Sequence, residues 1–462
     1  MSQPQTEQYR SLSSILNAWQ DHRKVFLIAL PMMISNIAAP LLGLVDTAII
    51  GHLPNSIYLT AVATGAMIIS FMYLLAIFLR MSTTGLIAQA YGAKSIVNQR
   101  TILVQAATLA VVIGVLLVLL QPLIIWLMQA LVAMDGEYQR LATIYIQIRI
   151  FGAPAALLNL VILGVLLGRQ QAGRAMVLVI FTNLVNVIGT VVLVLLLNFH
   201  VYGAAISTLV AEWATCFVGL YWLQSSFKLK WKAFQTLRLP QFLALFALNR
   251  DIFIRSLLLH ACMATMTVGA SYIGPDWVAA NAVLMQFLIL ISLGLDGIAY
   301  AVEALIGEAK GAKKPELIHK WLRLCLFWST LFAVLYSLIF WLFGASIIAL
   351  ITNIESLRET AEMYLPWLIV LPLLAHWSYF YDGVFIGLTA SRAMRNTMAI
   401  AALGVFFPVA LSTLWLGNHG LWLALCAFMA ARGFGQWLWL RQEKGPIVAE
   451  GAENDGITAS RE

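Results

Sequence analysis

The 462 residues include 28 Lys or Arg and 21 Asp or Glu, so charged side chains make up 11% of the chain and apolar ones 61%, with a mean hydropathy of +0.87. A soluble domain averages about 25% charged residues, and the inventory here cannot cover a water-facing exterior of this size. Soluble multidomain enzymes, secreted disulfide scaffolds and disordered chains are excluded, leaving an all-α polytopic membrane protein whose net charge of +7 is first of all a question of topology.

Residues 1–24 are polar and mixed in charge. They lack the apolar core and small-residue cleavage site of a signal peptide, so they read as a cytoplasmic segment with the first span acting as its own insertion signal. Twelve runs are apolar over the roughly 20 residues that a crossing helix needs: 25–50, 57–80, 99–120, 139–167, 175–197, 204–224, 248–273, 279–303, 320–343, 361–387, 396–416 and 420–440. None resembles the ~10-residue alternating strands of an outer-membrane barrel.

A charge inside the hydrocarbon layer is costly, so an acid within a span is a functional candidate. The first span holds Asp46 near its outer end, with Asn36, Pro40, Gly43 and Thr47 at steps of three and four on the same face. Pro31 and Pro40 each remove a helix hydrogen bond, so this face suits a cavity-lining helix that can bend. A capping role for Asp46 is the alternative, but caps sit at helix N-termini and the dipole disfavours an anion at the other end. Arg149 in the fourth span is expected to pair with an acid or to snorkel. The fifth span carries Asn183, Asn186 and Thr190, the sixth Thr208, Glu212 and Thr215. One carboxylate, an amide and two hydroxyls can surround a proton or small cation, or act as interhelical glue.

The basic stretch 225–247 reads as a cytoplasmic linker, its KLKWK run as a membrane-edge anchor or a contact with anionic lipid. In the second half His260 reads as a packed histidine, and Asp296 and Glu303 in the eighth span are further acidic candidates. Glu303 and Glu308 are expected to pair with Lys310 or Lys313. Asp382 in the tenth span is a candidate contact for a cationic cargo. The tail 441–462 reads as cytoplasmic and, from Lys444, disordered. Cys216, Cys262, Cys325 and Cys426 lie in apolar runs without paired spacing, as buried, inert thiols do.

With the N-terminus inside, 25 of the 28 Lys and Arg residues fall in cytoplasmic segments or adjoining span ends, which places both termini in the cytoplasm. GLIAQAYGAKS (85–95) recurs as ALIGEAKGAKK (304–314), and Gly164, Val165 and Gly168 recur as Gly383, Val384 and Gly387, both at an offset of 219. Two pseudo-symmetric six-helix halves follow, 25–224 and 248–440. Transporters built from such repeats bind cargo between the halves and alternate its access. No P-loop, GxSxG or HExxH motif points to an enzyme, so the energy is expected from an ion gradient or a partner protein, with a titratable Asp46 as the coupling site.

The stretches ALPMMISNIAAPLLGLVDTAIIGHL (29–53), FLRMSTTGLIAQAYGAK (78–94), ALNRDIFIRSLLL (247–259), LDGIAYAVEALIGEAKGA (295–312) and WLGNHGLWLAL (415–425) resemble the DinF branch of the multidrug and toxic compound extrusion (MATE) family across residues 25–440. The resemblance implies an inner-membrane exporter of cationic or amphipathic drugs, driven by protons or sodium ions, with no cofactor and no nucleic-acid partner and acting as a monomer. It implies that Asp46 binds the coupling ion, that Pro31 and Pro40 serve first-helix bending, and that Asn186 and Thr208 complete the cluster, where Na⁺ is the alternative ion. Thr190 stands where several relatives carry a second aspartate, and near Asp382 the seventh span offers only Leu259 and His260. Coupling through Asp46 alone is the simplest consequence. A flippase for lipid-linked oligosaccharides is the rival, disfavoured by the scarcity of basic residues in the central spans.

Overall fold

The computed structural model describes residues 19–51, 53, 55–131, 136–228 and 239–442. The expectations for residues 1–18, for the KLKWK run beyond Lys228 and for the tail from 443 lie outside the described residues.

Twelve long helices run in chain order: α1 (Trp19–Gly51), α2 (Ser56–Gly92), α3 (Ile96–Leu119), α4 (Gly136–Gly168), α5 (Ala172–Leu196), α6 (His200–Phe227), α7 (Leu239–Ile273), α8 (Pro275–Gly311), α9 (Pro315–Ile351), α10 (Leu365–Gly387), α11 (Ser391–Leu416) and α12 (Asn418–Gln442). No strand occurs among the described residues. Among the described residues eleven helices are long and apolar enough to cross a membrane, and α1, with 33 residues, has the length for a twelfth. The helices overrun the expected spans: α9 has 37 residues against the expected 320–343, about 55 Å at 1.5 Å per residue. That exceeds a hydrocarbon layer of about 30 Å, so its end turns project beyond it.

Sequence chemistry marks the breaks. Ser95, with its hydroxyl on the Asn98 N–H, caps the start of α3. Pro275 and Pro315 open α8 and α9, where the missing N–H costs nothing. In α5 the helix widens to a π turn over Val191–Leu196, immediately after Thr190. Such turns often accompany functional sites.

The lobes α1–α6 and α7–α12 meet unevenly. One apolar core runs through both lobes at the end bearing the basic loops, from Val25, Leu79 and Val165 to Ile298, Val302 and Val384. Towards the other end there are two separate cores, one around Tyr145 and Ala205, the other around Phe287 and Trp422. The lobes are therefore joined at the basic end and separate at the opposite one.

The repeat seen in the sequence is realised in packing. A Cβ on Gly164 would lie 2.8 Å from the Arg80 carbonyl, and one on Gly383 would lie 2.6 Å from the Ala299 carbonyl, both partners again 219 residues apart. At the junction the equivalents touch one another. A Cβ on Gly92 would strike the Glu308 backbone and one on Gly311 the Gln89 backbone, while Ala88 meets Gly307. Equivalent residues in mutual contact are the mark of a two-fold interface, here a pseudo-two-fold axis between the basic ends of α2 and α8.

Several expectations about charge are corrected. Glu303 pairs with Arg80 of the other lobe rather than with Lys310 or Lys313. Glu308 takes Lys24 at 2.7 Å and Gln170 at 2.7 Å, while Lys310 donates to the Leu388 carbonyl. Arg80, Arg255 and Arg432, counted by sequence among basic-end residues, are buried and ion-paired. A guanidinium survives at such depth because an acid from a distant segment meets it.

Candidate functional site

Helices α1, α5 and α6 bring the sequence-predicted polar residues of the first lobe together. Asp46 is half-buried near the end of α1, and Asn186 and Thr190, one turn apart on α5, are buried opposite it. The Thr190 hydroxyl lies 3.3 Å from Asp46 Oδ1 and 2.9 Å from the hydroxyl of Ser207 on α6. With its amide NH₂ turned towards α1, Asn186 donates to Asp46 Oδ1 at 3.1 Å and Oδ2 at 3.2 Å, and its oxygen accepts from Thr208 Oγ1 at 2.7 Å. Ser207 was not singled out from the sequence, where a serine one residue before Thr208 carries no distinguishing signal.

The reverse orientation would set the amide oxygen against the Asp46 carboxylate, acceptor against acceptor. With the oxygen towards α1, Asn186 Nδ2 donates to Thr208, whose hydroxyl donates to the Ala204 carbonyl at 3.0 Å. The Asn186 oxygen then faces the Asp46 carboxyl and requires a donor from it. Amide orientation is set by the surrounding network, and the orientation that donates to Asp46 is the one that satisfies both amide atoms against an ionised carboxylate.

The remaining residues of the predicted set sit apart. Asn36 and Pro31 are half-buried on α1, whereas Pro40 and Gly43 are exposed. The side-chain nitrogen of Asn183 is buried without a hydrogen-bond partner among the described residues. Arg149 forms the expected ion pair, to Glu212 at 2.8 and 2.9 Å, packed beside the Asp46 cluster. Asp382 departs from its expected role: it is buried, bound by Arg255, by Arg432 at 2.8 Å and by Gln436 at 2.8 Å. Its oxygens are taken by the chain itself, leaving no open side for a cargo. His260 sits on α7 with Nδ1 2.7 Å from the Ser256 carbonyl, consistent with a packing role. All four cysteines are buried and unpaired. A cavity of about 540 Å³ opens at the end opposite the basic loops, between Tyr58, Arg140, His200 and Tyr202, and includes none of the predicted set.

The central helices thus hold more basic residues than the sequence count allowed, but Arg80, Arg149, Arg255 and Arg432 are each met by an acid. They form no open basic surface of the kind a phosphate-bearing cargo would need.

A model of the MatE family matches residues 31–192 and 252–421. "DNA damage-inducible protein F" of Escherichia coli (strain K12) is 46% identical over 411 residues, 88% of this chain and 89% of that protein. "Probable multidrug resistance protein NorM" of Thermotoga maritima is 23% identical over 74% of each chain. Among solved structures, one described as the outward-facing conformation of a multidrug resistance MATE family transporter of the MOP superfamily superposes with a TM-score of 0.83 at 22% identity, over 92% of this chain and 96% of that one. At that identity the likeness speaks to the fold.

Proposed function

The chain belongs to the MatE family, and from that premise we propose that it is a secondary active multidrug exporter, exchanging cationic or amphipathic drugs for protons by alternating access with Asp46 as the coupling group. In this reading it works as a monomer in the inner membrane with its basic end and both termini in the cytoplasm. The lobes, joined at that end, then leave the path between them open to the exterior.

The observation that supports the coupling is the set of hydrogen bonds that converge on Asp46 from α5. An ionised carboxylate accepts from Thr190 and from the Asn186 amide. A protonated one donates to the turned amide oxygen, with Thr208 and the Ala204 carbonyl closing the chain. The site takes up or gives back a proton with a turn of the Asn186 amide as its local rearrangement. Charge-assisted hydrogen bonds are roughly twice as strong as neutral ones, so protonation loosens the hold of α5 and α6 on α1. The backbone of α1 already lacks the hydrogen bonds that Pro31 and Pro40 cannot donate, and bending there releases the drug outward.

Purified protein in liposomes, with pH and sodium gradients imposed separately, tests this. Export driven by the pH gradient alone is expected. Export that answers only to sodium would assign Na⁺, not H⁺, to the oxygens of Asp46, Asn186 and Thr208, and export indifferent to both would remove the coupling role.

A further inference from the structure

The buried ion pair between Arg80 of α2 and Glu303 of α8 crosses from one lobe to the other, and coupling at Asp46 does not use it. Arg80 meets the carboxylate as a fork, Nη1 at 3.0 Å and Nη2 at 3.4 Å, and its guanidinium carbon lies 4.6 Å from the centre of the Tyr300 ring. Both partners are almost fully enclosed, Arg80 at 7% and Glu303 at 2% exposure. Stability does not account for such a pair, because desolvating two ions offsets their attraction and apolar packing does as well. Asp296 lies on the same face of α8, at i, i+4 and i+7 with Tyr300 and Glu303. It has no hydrogen bond or ion pair among the described residues, and it lies within electrostatic reach of Arg80, Glu303, Asp382 and Arg255.

At this junction Asp296, Glu303 and Asp382 face Arg80, Arg255 and Arg432, and the charges balance. Of the three arginines only Arg80 belongs to the first lobe. When the lobes part at the basic end, Arg80 leaves with α2. The second lobe then retains a carboxylate pair, the open face of an aromatic ring and one uncompensated negative charge. Those are the features that hold a monovalent organic cation. We propose that Glu303, Asp296 and Tyr300 form the second lobe's site for the cationic group of the cargo, and that Arg80 is the chain's own cation, taking that place as the basic end closes. Closure itself then ejects the cargo towards the opposite end, the direction of export. This rests on the alternating-access reading above.

Binding of tetraphenylphosphonium to the purified protein tests it, with triphenylphosphine oxide as a neutral molecule of similar shape. Removing a charged competitor is worth at least a tenfold change, about the size of one charged hydrogen bond. Arg80→Gln is therefore expected to tighten tetraphenylphosphonium binding about tenfold or more, and adding Glu303→Gln to return it to the wild-type value or weaker, with the neutral probe unmoved. Asp296→Asn breaks no bond of the fold and is expected to weaken binding of the cation alone, so it decides the matter even if Arg80→Gln does not purify. Unchanged cation affinity in folded Asp296→Asn, or equal shifts for both probes in Arg80→Gln, overturns the assignment. If the wild type neither binds nor exports the cation, the exporter reading falls together with this one. If it does both while the variants keep its affinity, only this site is refuted.

Discussion

Asp46→Asn isolates the proposed coupling step. One proton exchanged for one monovalent cation moves no net charge, so the pH gradient alone sets the accumulation. Each pH unit is worth about 1.4 kcal/mol, a factor of ten. Two units across the membrane sustain about 2.7 kcal/mol and a cargo ratio of about 100 at balance. Asparagine has the shape of aspartate, and its oxygen can still accept from Thr190, now 3.3 Å from Asp46 Oδ1. The Asn186 amide can turn to match the new side chain. The variant therefore inserts and folds but has no proton to exchange, and its ratio falls to about 1, the value without a driving gradient. The assay is uptake of a fluorescent cation into inverted proteoliposomes, with valinomycin and equal potassium holding the potential at zero. A ratio in Asp46→Asn that still follows the pH gradient tenfold per unit would refute the role of this carboxyl.

Thr190→Val removes the hydroxyl that meets both Asp46 and Ser207; a neutral hydrogen bond contributes about 1 kcal/mol, so proton-driven transport should slow about fivefold, and an unchanged rate would take Thr190 out of the cluster. Glu212→Gln leaves Arg149 buried without its carboxylate, a loss of about 3–5 kcal/mol that should appear as a large drop in detergent melting temperature, partly recovered in Glu212→Gln/Arg149→Met. Asn281→Leu strips Asn418 and the Trp422 indole of their shared buried partner, at about 1–3 kcal/mol, with melting again the readout. Gly92→Val drives a side chain into the Glu308 backbone at the pseudo-two-fold axis. It should hold the basic end apart, read as labelling of a cysteine placed at Ala88 that the wild type protects.

Much of the fold was legible because the membrane enforces simple rules. Spans must be long and apolar, so α2 to α12 announce themselves as runs. The 219-residue repeat survives in the glycines and alanines where helices touch, since a larger side chain at Gly92 or Gly311 would collide with backbone. Asp46, Asn186 and Thr208 were legible for a related reason: polar groups in an apolar run stand out, and helical spacing puts them on facing surfaces. Partners were not legible. Nothing local to Glu303 distinguishes a lysine seven residues ahead from an arginine 223 residues behind, and the structure chose the latter.

That choice has a physical basis. An acid on α8 that paired with Lys310 or Lys313 would sit at the rim, in water, where an ion pair is worth little. Glu303 instead lies at 2% exposure beside the axis where equivalent residues of the two lobes touch. A charge there must be compensated whenever the lobes are together, and Arg80 on α2 supplies that compensation from the first lobe. The compensation is thus conditional on the arrangement of the lobes, whereas that of Asp382, drawn from α7 and α12 of its own lobe, is not. The two acids look alike in sequence, each a carboxylate in an apolar helix. What separates them is whether the neutralising arginine moves with them, and for that reason Glu303, and not Asp382, is the acid that rocking of the lobes can uncover.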